Sequence, residues 1–176
     1  MIVALTGTPG TGKTTVAEIL KKRGYRVESV NELAEQLDCI IGEEDDSKIV
    51  DTEMLAEKVN FGEGLVIVEG HLSHHLDPDI VIVLRCNPLV LKEKLGKKGW
   101  NEEKILENVE AEIVDAILVE ALECDDVYEI DTTRMKPEEV ADAVEKILKG
   151  EGEEFRPGRI DWISEIADRI DELMRK

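Results

Sequence analysis

The sequence predicts an α/β fold, a five-stranded parallel sheet with helices on both faces. Three observations carry that expectation. Short apolar runs such as residues 65–68 and 79–84 recur without the apolar–polar alternation of a half-exposed strand. Segments of helical spacing lie between them and supply the crossovers that parallel strands need. Glycine or proline marks many of the junctions. The 176 residues suit one domain with a sizeable core over residues 1–150, followed by a linker and an amphipathic helix over 151–176.

In chain order, residues 1–6 form the first strand, apolar and flush against a glycine-rich turn. From Lys13 the spacing turns helical, with Val16, Ile19 and Leu20 on one face and Gly24 beyond the end. Residues 25–30 are the second strand, and Asn31 offers an N-cap for a helix through Leu37. The acidic stretch 42–47 is too charged to pack and is expected as a mobile loop. Helical spacing returns over 51–61 through Met54, Leu55 and Val59, and Gly62 and Gly64 end it. The third strand, 65–68, closes on Glu69, and the fourth covers 79–84. Pro88 opens a helix that should stop at Gly96. Asn101 caps a long helix running towards Glu123, with Ile105, Val109, Ile113, Ala116 and Ile117 at its apolar positions. Residues 126–130 are the fifth strand, and Pro137 starts a helix through Leu148. After the linker 150–152, residues 160–174 align Ile163, Ile166, Ile170 and Leu173 along one stripe of a tail helix.

Charge and cysteine content narrow the function classes. A formal net charge of -19 repels a phosphate backbone, so direct nucleic-acid binding is not expected. Such a surface keeps a protein in solution and also suits a basic partner. Cys39, Cys86 and Cys124 are far apart, without a C-x-x-C pair, and are expected as reduced, partly buried thiols. No apolar run has the length of a membrane span, and Met1 leads directly into a strand, so a cytoplasmic chain without membrane attachment is expected.

The chemistry concentrates at strand ends, where open parallel sheets bind their ligands. Gly7-Thr8-Pro9-Gly10-Thr11-Gly12-Lys13-Thr14 matches G-x-x-x-x-G-K-[ST] between a strand and a helix, the context that a phosphate-binding loop requires. Glycines let backbone N–H groups turn towards a phosphate, and the helix start adds a positive dipole end. ATP is therefore the expected nucleotide, held by Gly7, Pro9, Gly10, Thr11, Gly12, Lys13, Thr14 and Thr15. Lys13 would reach the β- and γ-phosphates, and the Thr14 hydroxyl would ligate Mg²⁺. Glu69 stands where such proteins place an acid beside the magnesium shell, holding a bound water. His71, two residues on, faces the phosphates and could orient water or the acceptor. His71, His74 and His75 spell H-x-x-H-H. A dedicated metal site needs further ligands of fixed geometry, so His74 and His75 are read as polar surface residues. Arg85 ends the fourth strand, and Lys92, Lys94, Lys97 and Lys98 cluster around Gly96 and Gly99. A local basic patch in so acidic a chain points to an anion, and a glycine-hinged segment can bring cations over a transferring phosphoryl group. The alternative is a solvated helix end where lysine favours the dipole. Trp100 either packs the closed segment or anchors the following helix.

With these residues in place, the chain resembles the nuclear-type adenylate kinase family, the sixth adenylate kinase isoenzyme, in an archaeal-style version. Residues 5–15 are similar to that family's opening. Leu84-Arg85 and Lys97-Lys98-Gly99-Trp100-Asn101-Glu102-Glu103-Lys104 resemble its lid, and Glu107-Asn108-Val109-Glu110-Ala111-Glu112-Ile113 the start of its long helix. The resemblance covers about residues 1–148. It implies a monophosphate-binding segment over about 30–50, a short lid, phosphorylation of AMP or dAMP, and ATPase activity. It also implies a part in small ribosomal subunit maturation through a basic ribosomal protein. Catalytic roles follow for Lys13, Glu69, His71, Arg85, Lys94 and Lys98, with Lys98 also contacting the nucleotide. Three departures stand out. The family's D-x-H is Glu69-Gly70-His71, its lid arginines correspond to Lys94 and Lys98, and residues 30–50 contain no arginine. Lysine keeps the charge but loses the bidentate fork, so weaker clamping is expected.

Two further readings stand beside an ATP:AMP phosphotransferase. One is an ATP-driven assembly factor for a basic ribosomal protein, with water as acceptor. The other is a small-metabolite kinase, against which Asn31-Glu32-Leu33 lacks the paired acids that would hold a polyol.

Overall fold

The computed structural model describes residues 1–176. Five parallel strands form the sheet: β1 (Ile2–Gly7), β2 (Val27–Ser29), β5 (Val66–Glu69), β6 (Ile80–Arg85) and β7 (Val127–Asp131). Their spatial order is β2-β5-β1-β6-β7, so β1 lies at the centre and the chain reverses direction of travel there. The register pairs Ile2 with Val66 and Val3 with Ile80. All strand ends that carry site residues therefore open on one edge.

Side chains of β1 alternate between two covered faces. Val3 and Leu5 pack with Ile67, Ile82 and Leu84 beneath helices α1 (Lys13–Lys22) and α7 (Pro137–Leu148), through Val16, Leu20, Val140, Val144 and Ile147. On the opposite face Ala4, Val81 and Val83 meet Leu118 and Ala121 of α6 (Ala116–Ala121). Val66 and Val68 are covered by Val30 and Ala34 of α2 (Val30–Gln36) and Leu55 of α3 (Thr52–Lys58). Each fully buried valine, leucine or isoleucine among these contributes roughly 1.5–3 kcal/mol, which is why the strands read as unbroken apolar runs.

Five expectations need correction. The acidic stretch is a β-hairpin, not a loop: β3 (Ile40–Glu44) and β4 (Ser47–Val50) pair antiparallel. Asp45 and Asp46 take φ of 48° and 61°, the left-handed values of a tight primed turn that aspartate tolerates. The hairpin's charges find partners, with Lys48 on Glu35, and Lys104 Nζ donating to Asp45 O (3.1 Å) and Ser47 Oγ (2.9 Å). The N-cap of α2 is Ser29, not Asn31, because β2 ends one residue earlier than expected; Asn31 lies within the helix. Helix α4 (Pro88–Lys97) runs through Gly96, whose place on the exposed surface costs only helix propensity.

The long helix after Asn101 is two, α5 (Glu102–Ile113) and α6, broken where Asp115 takes φ 57°. That break turns the Asp115 carboxylate onto Arg85. The tail is not one amphipathic helix but α8 (Trp162–Glu165) followed by a 3₁₀ stretch, Ala167–Glu172. Trp162, Ile166 and Leu173 are buried, whereas Ile163 is exposed. Gly152 sits close against α7, where a Cβ would come within 2.6 Å of Ile147 Cγ1. The cysteines are free thiols, Cys39 and Cys86 buried and Cys124 half-buried. Burial pushes the Cys86 thiol up to about 11. No helix is long and apolar enough to cross a membrane.

Candidate active site

The loop after β1 owes its path to its glycines. Gly7 (φ 144°) passes so close to β6 that a Cβ would lie 2.5 Å from Leu84 O. Gly10 (φ 95°) lies against Leu91 and Leu95 of α4, where a Cβ would meet each side chain at 2.9 Å. The helix that follows is capped by Gly12 in a left-handed conformation with no side-chain acceptor, so the first N–H groups of α1 remain free for an anion.

A cleft of about 850 Å³ opens at this point, and Pro9, Gly10, Gly12, Lys13, Thr14 and Thr15 form its floor. Gly7 and Thr11 do not line it; they build the loop beneath, Thr11 Oγ1 donating to Thr8 O at 2.8 Å. Lys13 folds back over the loop and donates to Gly7 O (2.7 Å) and Thr8 O (3.1 Å). Burial lowers its amine to about 8, with Lys98 pushing the same way and the Glu69 carboxylate opposing. Glu69, at the end of β5, and His71 line the same cleft. Burial raises the Glu69 carboxyl above its ordinary value, while Lys13 and the Thr14 hydroxyl hold it down. His71 is shifted down by desolvation and by Lys13. Water reaches the exposed ring from the open side, which moderates the shift without reversing it, so the imidazole is neutral at neutral pH.

Lys94, Lys97 and Lys98 of the segment after β6 line this cleft. Lys92 does not: its amine donates to Glu172 O in the tail at 3.0 Å. Trp100 anchors the start of α5, with Lys104 Nζ 4.1 Å from its ring centroid and Lys98 Nζ at 5.7 Å.

Arg85 requires a correction, because it does not reach the cleft. Its side chain is 1% exposed and bound by Glu112 (2.8 Å), Glu129 (2.9 Å) and Asp115. The Arg85 guanidinium also stacks on Trp162, 5.9 Å from the ring centroid. Glu112 is the hub of this network, also accepting from Thr8 Oγ1 (2.7 Å) and Trp162 Nε1 (2.9 Å). It thereby ties the phosphate loop to α5 and to the tail. His74 is likewise no surface residue: its side chain is 1% exposed, and Nδ1 lies 2.9 Å from Thr6 Oγ1.

A family model described as "AAA domain" matches residues 3–115. A protein of Archaeoglobus fulgidus named "Putative adenylate kinase" is 60% identical over 180 aligned positions, covering 100% of this chain and 99% of its own. The chain belongs to this family. Members with the same name from Thermococcus onnurineus and Methanocaldococcus jannaschii are 45% and 39% identical, each over at least 97% of both chains. Among solved structures, shikimate kinases of Acinetobacter baumannii and Bacteroides thetaiotaomicron match with TM-scores of 0.58 and 0.54 at 16% and 17% identity. They cover 85% of this chain and 93% and 98% of their own. At that identity the likeness shows a shared α/β fold.

In this member of the adenylate kinase-like family the cleft also takes in Lys21 of α1, and Glu28, Ser29, Asn31 and Glu32 around the end of β2. Asn31 and Glu32 fall in the monophosphate-binding segment, about 30–50, that the family resemblance implies, whereas sequence reasoning gave Lys21, Glu28 and Ser29 no role in the site. The signal for Glu28 and Ser29 lies in their place at the end of β2, on the same sheet edge as the ends of β1 and β5.

Proposed function

We propose that the chain is an ATP:AMP phosphotransferase that also hydrolyses ATP. The observation that supports this most is the convergence of Lys13, Thr14, Glu69, His71, Lys94 and Lys98 on one cleft, in a family named for adenylate kinase activity. The loop N–H groups and the free start of α1 hold the triphosphate. Lys13 Nζ exchanges its two carbonyl partners for β- and γ-phosphate oxygens. A hydroxyl at Thr14 and a carboxylate at Glu69 are hard oxygen donors that suit Mg²⁺, with Glu69 acting through a bound water. The ion, when bound, neutralises charge between the phosphates. Lys94 and Lys98 reach over the transferring group from the lid.

The acceptor lies along the wall from Ser29 to Glu32. Its phosphate oxygen forms a bond to the γ-phosphorus as the bond to the β–γ bridging oxygen breaks, leaving ADP on both sides. His71, neutral in this setting, orients the acceptor or receives a proton from an attacking water. The experiment follows γ-labelled ATP with unlabelled AMP. Label in the second ADP supports the kinase, and label only in free phosphate, indifferent to AMP, refutes it.

One observation favours an ATPase in which water is the principal acceptor. The acceptor wall carries Glu28 and Glu32 and no arginine, and Arg26 turns away to donate to Phe61 O. A second phosphate thus finds few cations there. With a net charge of -19, the natural partner of such an ATPase is a basic small-subunit ribosomal protein, as the family resemblance implies. Stimulation of hydrolysis by such a protein, without AMP, tests this reading. Nucleotide-binding residues are common to both readings.

A further inference from the structure

A second cavity, of about 350 Å³, lies beyond the 3₁₀ turn Ser73–His75 and shares no lining residue with the nucleotide cleft. His74 and His75 enter it from the turn and Glu120 from α6, each offering one ligand atom within 4.8 Å of the others. His74 Nε2 is 2.7 Å and His75 Nε2 3.0 Å from the same Glu120 oxygen. Asp77, Glu123 and Asp125 complete a rim that includes no lysine or arginine. From this juxtaposition we propose that His74, His75 and Glu120 form a binding site for one Zn²⁺-class transition-metal ion, separate from the nucleotide-associated Mg²⁺.

The donor set and its support argue for this chemistry. Two imidazoles and a carboxylate suit a borderline cation and are a poor match for Mg²⁺ or Ca²⁺, which prefer oxygen donors. A buried ring of fixed direction is what distinguishes a built ligand from a surface histidine. His74 is fixed by burial and by Thr6 on β1, and in the tautomer an ion would select, which donates Nδ1–H to Thr6 Oγ1, the Nε2 lone pair points into the cavity. A tetrahedral ion with bonds near 2.0–2.1 Å spaces its ligand atoms about 3.3 Å apart. The present nitrogen–oxygen distances need to open by a few tenths of an ångström. Glu120, half exposed on a long side chain, is the ligand free to move. Water can take the fourth position, since Asp77, Glu123 and Cys124 line the cavity outside the three-residue cluster. A bound ion would clip the turn that follows Glu69 and His71 to helix α6.

The test uses the untagged full chain, stripped with chelator and kept free of nucleotide. Titration with Co²⁺ should give the visible absorption of a four-coordinate site, saturating at one ion per chain and displaced by Zn²⁺. Zn²⁺ should raise the thermal unfolding midpoint. Glu120→Gln and His75→Ala, both outside the Thr6 contact, should each weaken Co²⁺ binding by at least about tenfold while remaining folded. Thr14→Ala should leave the signal intact, which separates this site from the nucleotide cleft. No Co²⁺ signal in the stripped protein, or Co²⁺ affinity unchanged from wild type in both ligand variants, overturns the proposal. The two histidines then merely share a hydrogen-bonded carboxylate.

Discussion

Replacing Arg85 with methionine is expected to remove stability and to leave phosphoryl transfer nearly intact, although Arg85 ends the strand beside the phosphate loop. The guanidinium is the counter-ion of Glu112 and Glu129, whose side chains are each 3% exposed. Methionine fills much of the volume but leaves two buried carboxylates without a cation, a change that costs about 3–5 kcal/mol. The lower part of that range applies, because Glu112 keeps donors from Thr8, Trp162 and Cys86 N, and Glu129 keeps Gly158 N. In a chain of this size each kcal/mol shifts the midpoint by about 2–4 °C, so a fall of roughly 6–15 °C follows. Urea and thermal unfolding give the stability. Phosphoryl transfer, measured well below the midpoint and normalised to folded protein, should stay within about tenfold of wild type, a barrier change of about 1.4 kcal/mol. Lys98→Ala is the counterpart. Lys98 is exposed over the cleft, so its loss should lower kcat by about 10² with little change in midpoint. An Arg85→Met protein that unfolds like wild type yet loses 10² or more in kcat would refute the buried placement and restore Arg85 to the phosphoryl clamp.

Lys13 sets a pH dependence for nucleotide binding. With its amine near 8 in the free protein, it is charged below that pH and increasingly neutral above it, whereas phosphate contact requires the cation. ATP binding should therefore take up few protons at about pH 7 and close to one at about pH 9, with affinity falling up to about tenfold per unit above the midpoint. Calorimetry in buffers of different ionisation heat reads this directly, and pH-independent proton uptake would separate Lys13 from the phosphates. His71→Ala should lower hydrolysis by about 10²-fold while ATP affinity changes little, because a neutral ring aids proton transfer but not charge binding. Equal turnover in the variant would remove His71 from the reaction. Gly152→Ala should destabilise by about 1–3 kcal/mol, because the new methyl meets Ile147 and its backbone has little room to yield. An unchanged midpoint would make residues 150–152 a loose linker.

The sheet and the phosphate loop were legible because their determinants are local. A strand buried on both faces must be apolar throughout, and a loop that turns its N–H groups towards a phosphate passes through positive φ at Gly7, Gly10 and Gly12. Strand-end position also located Glu69 and His71. The same rule failed at Arg85, because it fixes where a Cα sits and not where a long side chain points. Glu112 and Glu129, 27 and 44 residues further on, supply the charge that draws it inward, and the Asp115 kink that completes the cage carries no helix-breaking residue. The hairpin was misread for a related reason. Charge in 42–47 argues against packing but not against structure, because a two-stranded ribbon exposes both faces and needs only a turn that Asp45 and Asp46 can make, with Lys104 to receive it.

His74 and His75 show the same limit from the other side. Adjacent in sequence and alike in chemistry, one is buried against Thr6 and the other is half exposed, and both meet a carboxylate 45 or more residues away on α6. Nothing in H-x-x-H-H distinguishes them. The distinction arises because the turn after β5 runs back under β1, burying whichever ring faces the sheet. Residues whose role is set by their own backbone can be read in order along the chain. Residues whose role is set by a distant counter-charge, Arg85, Glu112 and His74 among them, become readable only after the sheet order places β1 between β5 and β6. In this fold that second group joins the phosphate loop to α5, α6 and the tail. Its members should therefore govern how firmly the loop is held, while the cleft-lining lysines govern what the loop does with the phosphate.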